Sequence, residues 1–322
     1  MRKLVSVTAL VALAATSLSA FDAKELAKRQ DTGFKYEGKL EYKIPDESTI
    51  PNNKFGEMVK YGKELVVNTP KLIGPQASDE KMRYAGNNLT CQNCHLDAGT
   101  KPYGGTFVGT YAAFPQYGAR GDSIGTLADR INGCMTRSMN GKALPLDGKE
   151  IKAIETYMFW LSQGIPVGAA NKLEGRELFK VDRKMIKEKA ADPVKGKVVY
   201  DAQCASCHGT NGEGMKVDGI YVNPPLWGED SYNKGAGMYR TLKAADFIIS
   251  NMPLGATKEN PILKHEEAYN VAAYMNDDSH FRPEKANRDK DFPDEIVKAP
   301  DTYREGIEPK EYKFGPYGKI IK

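Results

Sequence analysis

Two five-residue stretches of one pattern, CQNCH at residues 91–95 and CASCH at residues 204–208, decide the fold of this chain. Two thiols separated by two residues can reach both vinyl groups of one porphyrin, and the histidine that follows then lies under the iron. The pattern therefore predicts one covalently attached haem c at each stretch. The residues predicted to bind these two cofactors are Cys91, Cys94, His95, Cys204, Cys207 and His208.

Two other kinds of site use the same residue types. A zinc site shared by both stretches is one alternative, although a histidine directly after the second cysteine is not the usual zinc spacing. A redox-active cysteine pair is the other, although it does not explain why both copies carry the same histidine. The fifth cysteine, Cys134, belongs to neither stretch, and an odd number of cysteines excludes a pure disulfide scaffold.

The residues around the two stretches form similar blocks. Gly62 precedes the first stretch and Gly196 the second, and amphipathic helices are predicted over residues 149–163 and 265–276. A glycine weakens a helix unless another element crosses close to it, so each glycine marks a predicted helix crossing. Asp147 is the predicted N-cap of the helix over 149–163, and Asp192, which precedes Pro193, is predicted to cap the start of another helix.

This duplication is similar to a pair of class I cytochrome c domains, whose first and last helices cross at a glycine–aromatic contact. Tyr157 and Tyr274 are the aromatic residues that carry the resemblance. The predicted fold is mainly α, with two class I cytochrome c-like domains. The predicted divisions are a signal peptide (1–20), an N-terminal extension (21–54), domain 1 (55–166), a linker (167–191), domain 2 (192–283) and a C-terminal tail (284–322), a solvated strap.

Composition limits location and partners. With 27% charged residues and a mean hydropathy of −0.54, the chain of 322 residues is not a polytopic membrane protein. A net charge of +4 is too small to indicate a nucleic-acid binder. Residues 1–20 begin with Arg2 and Lys3, continue with an apolar run and end in small residues, which is typical of a secretory signal. We expect export to a periplasm, cleavage near Ala20 and no membrane anchor.

The distal iron ligand of the second haem is predicted to be Met252. It precedes a proline in the loop where small haem c domains place this ligand, and a methionine ligand raises the reduction potential. Met215 and Met238 are rivals, and a methionine buried in the core is the ordinary alternative for each of them.

For the first haem the distal candidates are Cys134, Met135, Met139 and Met158. A helix that begins at Asp122 or Ser123 and ends at Asn140-Gly141 decides between the first two. On this helix Met135 lies in a buried apolar stripe, and Cys134 lies with polar residues on the face beside that stripe. The buried stripe is predicted to be Ile124, Leu127, Ile131 and Met135, and the adjacent face Arg130, Cys134 and Ser138. Cys134 as a small buried hydrophobe remains open.

Arginines near Cys134 favour a thiolate and can also bind a small dianion through forked hydrogen bonds. Arg130 lies one turn before Cys134, Arg137 follows it, and Arg120 lies upstream. Surface solubility and pairing with haem propionates are the alternatives for such arginines. Together with Ser138 they predict an oxoanion pocket at the first haem.

With these residues in this order, the chain resembles the dihaem thiosulfate dehydrogenases. The most specific part is residues 130–141, RINGCMTRSMNG. The resemblance implies that the first haem has His95 and Cys134 as ligands and is the active site. It also implies that Arg120, Arg130 and Ser138 surround the sulfur oxyanion. Some relatives have a lysine ligand just before the methionine, and here that position is Asn251, so no ligand exchange is expected.

The resemblance implies oxidation of two thiosulfate ions to tetrathionate, with the reverse reduction using the same residues. Electrons would pass from the His/Cys haem to the His/Met haem, whose ligands are His208 and Met252, and on to a small periplasmic cytochrome c. Two alternatives stay open. One is a dihaem electron carrier without a substrate, favoured if Met135 is the first distal ligand. The other is a thiolate–haem subunit of a sulfur-oxidising complex.

Overall fold

The computed structural model describes residues 33, 36–118, 120–121, 123–287, 291 and 309–321. The predicted signal peptide lies outside them, and so does Asp122, one of the two residues predicted to begin a helix. Within the described part of the chain, no helix is both long and apolar enough to cross a bilayer. The division into domains stays a prediction.

The helices and strands follow in chain order. The helices of the first half are α1 (Lys54–Val67), α2 (Thr69–Ile73), α3 (Leu96–Gly99), α4 (Leu127–Met135) and α5 (Lys149–Leu161). Those of the second half are α6 (Arg183–Glu188), α7 (Pro193–Gln203), α8 (Ala205–His208), α9 (Thr241–Asn251), α10 (His265–Met275) and α11 (Pro309–Phe314). Two antiparallel hairpins pair β1 (Gln116–Gly118) with β2 (Ser123–Gly125), and β3 (Met215–Val217) with β4 (Ile220–Asn223).

Each block is built on one close helix crossing. A Cβ added to Gly62 of α1 would lie 2.0 Å from a carbonyl oxygen of α5 and 2.8 Å from the Cβ of Tyr157. Gly196 of α7 repeats this against α10, at 2.0 Å from a carbonyl oxygen and 2.9 Å from the Cβ of Tyr274. Only a residue without a side chain allows backbones to approach so closely. The predicted glycine–aromatic crossing is therefore confirmed in both blocks.

The ends of these helices match the sequence in part. The Asp192 carboxylate accepts hydrogen bonds from two backbone N–H groups of α7, and Pro193 is the first helical residue, as predicted. The prediction of Asp147 as an N-cap is wrong, because α5 starts after Gly148 without a side-chain cap. Both α5 and α10 begin where predicted and end slightly earlier, at Leu161 and Met275.

Helix α4 starts later than predicted. Its N-cap is Thr126, which forms a capping box with Asp129, and the residues before it form the β1–β2 hairpin. Ile124 therefore lies on a strand with 71% of its surface exposed, and its assignment to the buried helical stripe is wrong. The rest of the stripe is buried as predicted: Leu127, Ile131 and Met135. The helix ends at Met135, so Ser138 lies in the following turn rather than on the helix.

Described residues of the N-terminal extension and of the C-terminal tail pack onto the domains. The Tyr42 hydroxyl of the N-terminal extension hydrogen-bonds the carbonyl oxygen of Thr100 at 2.7 Å, close behind the first haem-binding stretch. The C-terminal tail is more than a solvated strap, since Tyr317 is fully buried in the second core. Tyr269 of α10 also donates a 2.6 Å hydrogen bond to the carbonyl oxygen of Phe314. The prediction for the tail is therefore wrong for its described final residues.

The second domain also contributes to the first core. Tyr221 and Tyr232 belong to the second domain in sequence, yet both are buried in the hydrophobic cluster of the first. The Asn93 amide, inside the first haem-binding stretch, donates a 2.9 Å hydrogen bond to the carbonyl oxygen of Tyr221. A wall of the first haem site therefore comes from the second domain.

Candidate active site

The first haem-binding stretch is held as a tight turn with its thiols turned inward. Residues 91–93 form one turn of 3₁₀ helix, and the Cys91 N–H donates a 3.1 Å hydrogen bond to the Thr69 hydroxyl. Cys91 and Cys94 are free thiols, and burial raises the pKa of Cys91 to about 11 and that of Cys94 to about 12. Two neutral thiols close together on one turn fit thioether attachment to one porphyrin.

The two histidines are oriented in the same way. His95 Nδ1 lies 2.5 Å from the carbonyl oxygen of Gly105, and His208 Nδ1 lies 2.8 Å from that of Pro224. A carbonyl can only accept, so each Nδ1 carries the proton and each Nε2 keeps a lone pair for a metal. Phe107 packs against the His95 ring with 4.4 Å between centroids, which fixes its plane.

Cys134 faces the same pocket from α4. Arg130, one turn earlier, donates a 2.8 Å hydrogen bond to its sulfur. Burial by itself raises the pKa of the thiol, but Arg130, the His95 imidazole and Arg137 together lower it to about 5. The pKa values of Cys91 and Cys94 also respond to the charge of Cys134, so this thiol lies close to the attachment cysteines and within hydrogen-bonding reach of the His95 side chain. The interpretation of Cys134 as a mere buried hydrophobe does not fit these contacts.

The methionine rivals of the first haem are buried in the core. Met135, Met139 and Met158 are 2%, 3% and 5% exposed and belong to the first hydrophobic cluster. The prediction that the core holds Met135 is confirmed.

A cluster of guanidinium groups surrounds the thiolate. Burial together with Arg130, Arg120 and Arg240 lowers the pKa of Arg137 to about 10, while Cys134 acts in the opposite direction. Arg120 donates a 3.2 Å hydrogen bond to the carbonyl oxygen of Gly235 in the second domain. The structure thus places Arg130 and Arg137 close to Cys134, and Arg120 close to Arg137.

Sequence reasoning missed Arg240, the residue before α9 in the second domain. It lies more than a hundred positions after Cys134, and no local pattern connects the two. Arg240 Nε and the Thr241 hydroxyl are buried without a hydrogen-bond partner among the described residues. Such orphaned donors fit the carboxylate of a haem propionate.

Ser138 is half-buried in the turn that follows α4. Its carbonyl oxygen accepts a 2.9 Å hydrogen bond from the amide of Asn87, a fully buried residue of the first domain. The turn therefore has a fixed position relative to Cys134.

In the second block, Met252 directly follows α9 and packs against the second core. Burial lowers the pKa of His208, which keeps its imidazole neutral and able to bind a metal. The rival Met215 is 49% exposed on β3, and Met238 is partly buried between the two cores. The residue before the ligand, Asn251, is buried and donates a 2.9 Å hydrogen bond to the carbonyl oxygen of Tyr103 in the first domain.

Comparisons with known proteins agree with this architecture. The family model of the SoxA/TsdA cytochrome c domain matches residues 81–167, and that of cytochrome c matches residues 193–278. A thiosulfate dehydrogenase of Stutzerimonas stutzeri is 39% identical over 85% of this chain and 82% of its own length. A thiosulfate dehydrogenase of Thiomonas intermedia is 39% identical over 87% of this chain and 82% of its own length.

Among solved structures, the thiosulfate dehydrogenase TsdBA of Marichromatium purpuratum is similar, with a TM-score of 0.66 and 35% identity. The match covers 75% of this chain and 50% of that chain. The two cytochrome c domains imply two covalently bound haem c groups.

Proposed function

The chain belongs to the thiosulfate dehydrogenase family, and on that premise we propose how its own residues carry out the reaction. The proposed reaction joins two thiosulfate ions into one tetrathionate ion and releases two electrons. The observation that carries the proposal is the 2.8 Å hydrogen bond from Arg130 to the Cys134 sulfur, with a thiol pKa of about 5. It provides a sulfur nucleophile inside a cationic pocket.

The two haem c groups, once attached, supply a store for one electron each, which matches the two electrons of the reaction. In this proposal His95 and Cys134 would hold the first iron, and His208 and Met252 would hold the second. The lone pairs of both histidines are already directed by the carbonyl groups that hold Nδ1. We assign the first site to substrate chemistry and the second to electron exit.

The cysteine bears the covalent step. The Cys134 thiolate would form an Sγ–S bond with the terminal sulfur of thiosulfate. The Sγ–S–SO₃⁻ adduct carries one negative charge where the reactants carried three, so two electrons depart. The terminal sulfur of a second thiosulfate then attacks the adduct sulfur that is bonded to Sγ, the Sγ–S bond breaks, and tetrathionate and the Cys134 thiolate form. This second step is analogous to thiol–disulfide exchange and needs no further oxidant.

The arginines bind the oxyanion. Arg120 and Arg130 present fork-shaped donors that match two oxygens of a sulfonate group, and Ser138 adds a hydroxyl from the turn after α4. Arg130 has a double role because it also holds the thiolate. The same cations reduce the repulsion between two incoming dianions, which is the main electrostatic barrier to joining them.

We further propose a periplasmic location and a small periplasmic cytochrome c as the electron partner. The reverse reaction, reduction of tetrathionate, uses the same bonds in the opposite order. A substrate-free electron carrier would be favoured if Met135 held the first iron, but Met135 is 2% exposed in the core. No observation favours a subunit of a larger sulfur-oxidising complex.

One assay tests the proposal. Purified wild type should reduce a cytochrome or dye with thiosulfate and yield tetrathionate, while Cys134→Gly should lose this activity with both haems still attached. Cys134→Ser is the matched control for side-chain volume and should be equally inactive, since a hydroxyl cannot form the sulfur adduct. Undiminished turnover in Cys134→Gly would refute the covalent step.

A further inference from the structure

The turn after α4 carries much of the candidate active site, and it is held from both domains. Residues 136–140 follow Cys134 and include Arg137 and Ser138. Asn87, in the first domain, bonds the carbonyl oxygens of Ser138 at 2.9 Å and of Ser231 at 3.1 Å. Ser231 begins the 231–236 segment of the second domain, which lies along this turn.

Asn233 lies at the centre of the 231–236 segment and is 2% exposed. Its amide nitrogen donates to the carbonyl oxygen of Thr136 at 3.0 Å and to Oδ1 of Asn140 at 3.1 Å. Its backbone N–H donates to the carbonyl oxygen of Arg137 at 3.2 Å. Three hydrogen bonds from Asn233 therefore hold both ends of the turn, at Thr136 and Asn140, and Arg137 between them.

The amide oxygen of Asn233 connects the same residue to an active-site arginine. It accepts a 3.0 Å hydrogen bond from the N–H of Gly235, whose carbonyl oxygen accepts a 3.2 Å hydrogen bond from Nη1 of Arg120. The amide thus uses both of its N–H donors and its oxygen, so its orientation is fixed by the contacts themselves.

We propose that Asn233 is a positioning residue of the second domain that sets the geometry of the first haem's active site. It acts on Cys134 through the turn at 136–140 and on Arg120 through Gly235. A residue that holds both the nucleophile and an oxyanion-binding arginine controls their separation, and small misplacements of such groups are costly in rate. The electron-transfer domain is then part of the substrate site, and the inference rests on the proposed function of that site.

The experiment compares three variants as full-length proteins with both haems attached. Asn233→Ala removes all side-chain bonds, and Asn233→Asp keeps the acceptor for Gly235 but loses the two donors to the turn. Asn270→Ala is the matched control, because Asn270 is also a buried asparagine (5% exposed) but bonds the N–H of Asp192 inside the second domain. The measurements are KM and kcat for thiosulfate, the electron paramagnetic resonance spectrum of the ferric haems, and thermal stability.

We expect Asn233→Ala to lower kcat/KM by about tenfold or more and to change the signal of the thiolate-ligated haem. The signal of the methionine-ligated haem should stay as in wild type. Asn233→Asp should change the same haem signal, because the turn is released while Gly235 is still held. Asn270→Ala should lower the thermal stability without changing the kinetics or either haem signal. If both Asn233 variants resemble Asn270→Ala in spectrum and kinetics, the positioning role is refuted.

The activity of the wild type and the spectra of the resting proteins separate this inference from the proposed function. If wild type does not oxidise thiosulfate, the proposed function fails, yet the spectra of the resting proteins still test whether Asn233 positions Cys134. If Asn233→Ala does not accumulate as folded protein, Asn233→Asp decides the question, because it preserves the volume of the side chain.

Discussion

Arg130 donates a 2.8 Å hydrogen bond to the sulfur of Cys134, which lies four residues further along α4. The i, i+4 spacing makes this contact a property of the helix itself, since such residues share a face. It opposes the effect of burial and keeps the thiol pKa low, at about 5. A nucleophilic sulfur and an oxyanion-binding cation are thus supplied by nine residues of chain, Leu127–Met135.

Replacing Arg130 tests the effect of its charge on the Cys134 thiol and on the reaction. Arg130→Met should raise the pKa of the Cys134 thiol and reduce kcat/KM for thiosulfate on the order of a hundredfold, the usual effect of removing one donor to developing charge. Steady-state kinetics measure it. Arg83→Met is the control, because Arg83 pairs with Glu80 at the surface and should leave the kinetics unchanged. Equal kinetics for both variants would contradict the role of Arg130.

The second haem site can be altered without touching the first. Met252→Gly removes the proposed thioether ligand that follows α9. The long-wavelength absorption band of a methionine-ligated ferric haem should disappear. The reduction potential of the second haem should fall, because methionine ligation raises it. Thiosulfate should still bind with unchanged affinity, while electron delivery to an external cytochrome slows. A retained methionine band, measured by absorption spectroscopy, would exclude Met252 as ligand.

The helix crossings predict a strong effect of a single methyl group. Gly62→Ala would place a Cβ 2.0 Å from a backbone oxygen of α5, and Gly196→Ala would do the same at α10. Overpacking of this kind costs about 1–3 kcal/mol, so the thermal midpoint of each variant should fall. Gly237→Ala is the control, because its new Cβ would meet nothing closer than 3.9 Å. Calorimetry checks all three, and unaffected midpoints for the first two would be incompatible with the crossings.

His280 predicts a pH dependence of stability. Its ring stacks on Trp227 with 3.9 Å between centroids, and burial lowers its pKa. The unfolded chain then binds a proton that the folded chain does not, so stability is complete above the ordinary histidine pKa of about 6.5 and declines as pH falls below it. His280→Phe should flatten this decline while keeping the stacking. Unfolding by denaturant at several pH values measures how steeply the free energy of unfolding declines with falling pH. Equal slopes for wild type and His280→Phe would contradict the assignment.

The sequence predicts well what depends on near neighbours in the chain. The attachment stretches, the cap at Asp192 and the pairing of Arg130 with Cys134 are all set within four residues, where backbone geometry alone determines contact. The helix crossings were also predictable, since Gly62 and Gly196 have no local reason to lie inside helices.

What the sequence did not predict depends on distant contacts. Asn233 and Arg240 reach the first site from about a hundred positions away, and no periodicity carries that relation. Ile124 continued the apolar spacing of a helix, but the capping box at Thr126 started that helix later and left a hairpin before it. Where a local helix-start signal and a periodic apolar pattern disagree, the pattern alone does not decide where the helix begins.

The buried position of Tyr317 gives the second domain an unusual vulnerability. Its core includes a residue that lies beyond the predicted cytochrome domain in sequence and packs against Tyr269 of α10. A truncation that removes Tyr317 would therefore disturb the interior of a cytochrome domain rather than a dispensable appendage.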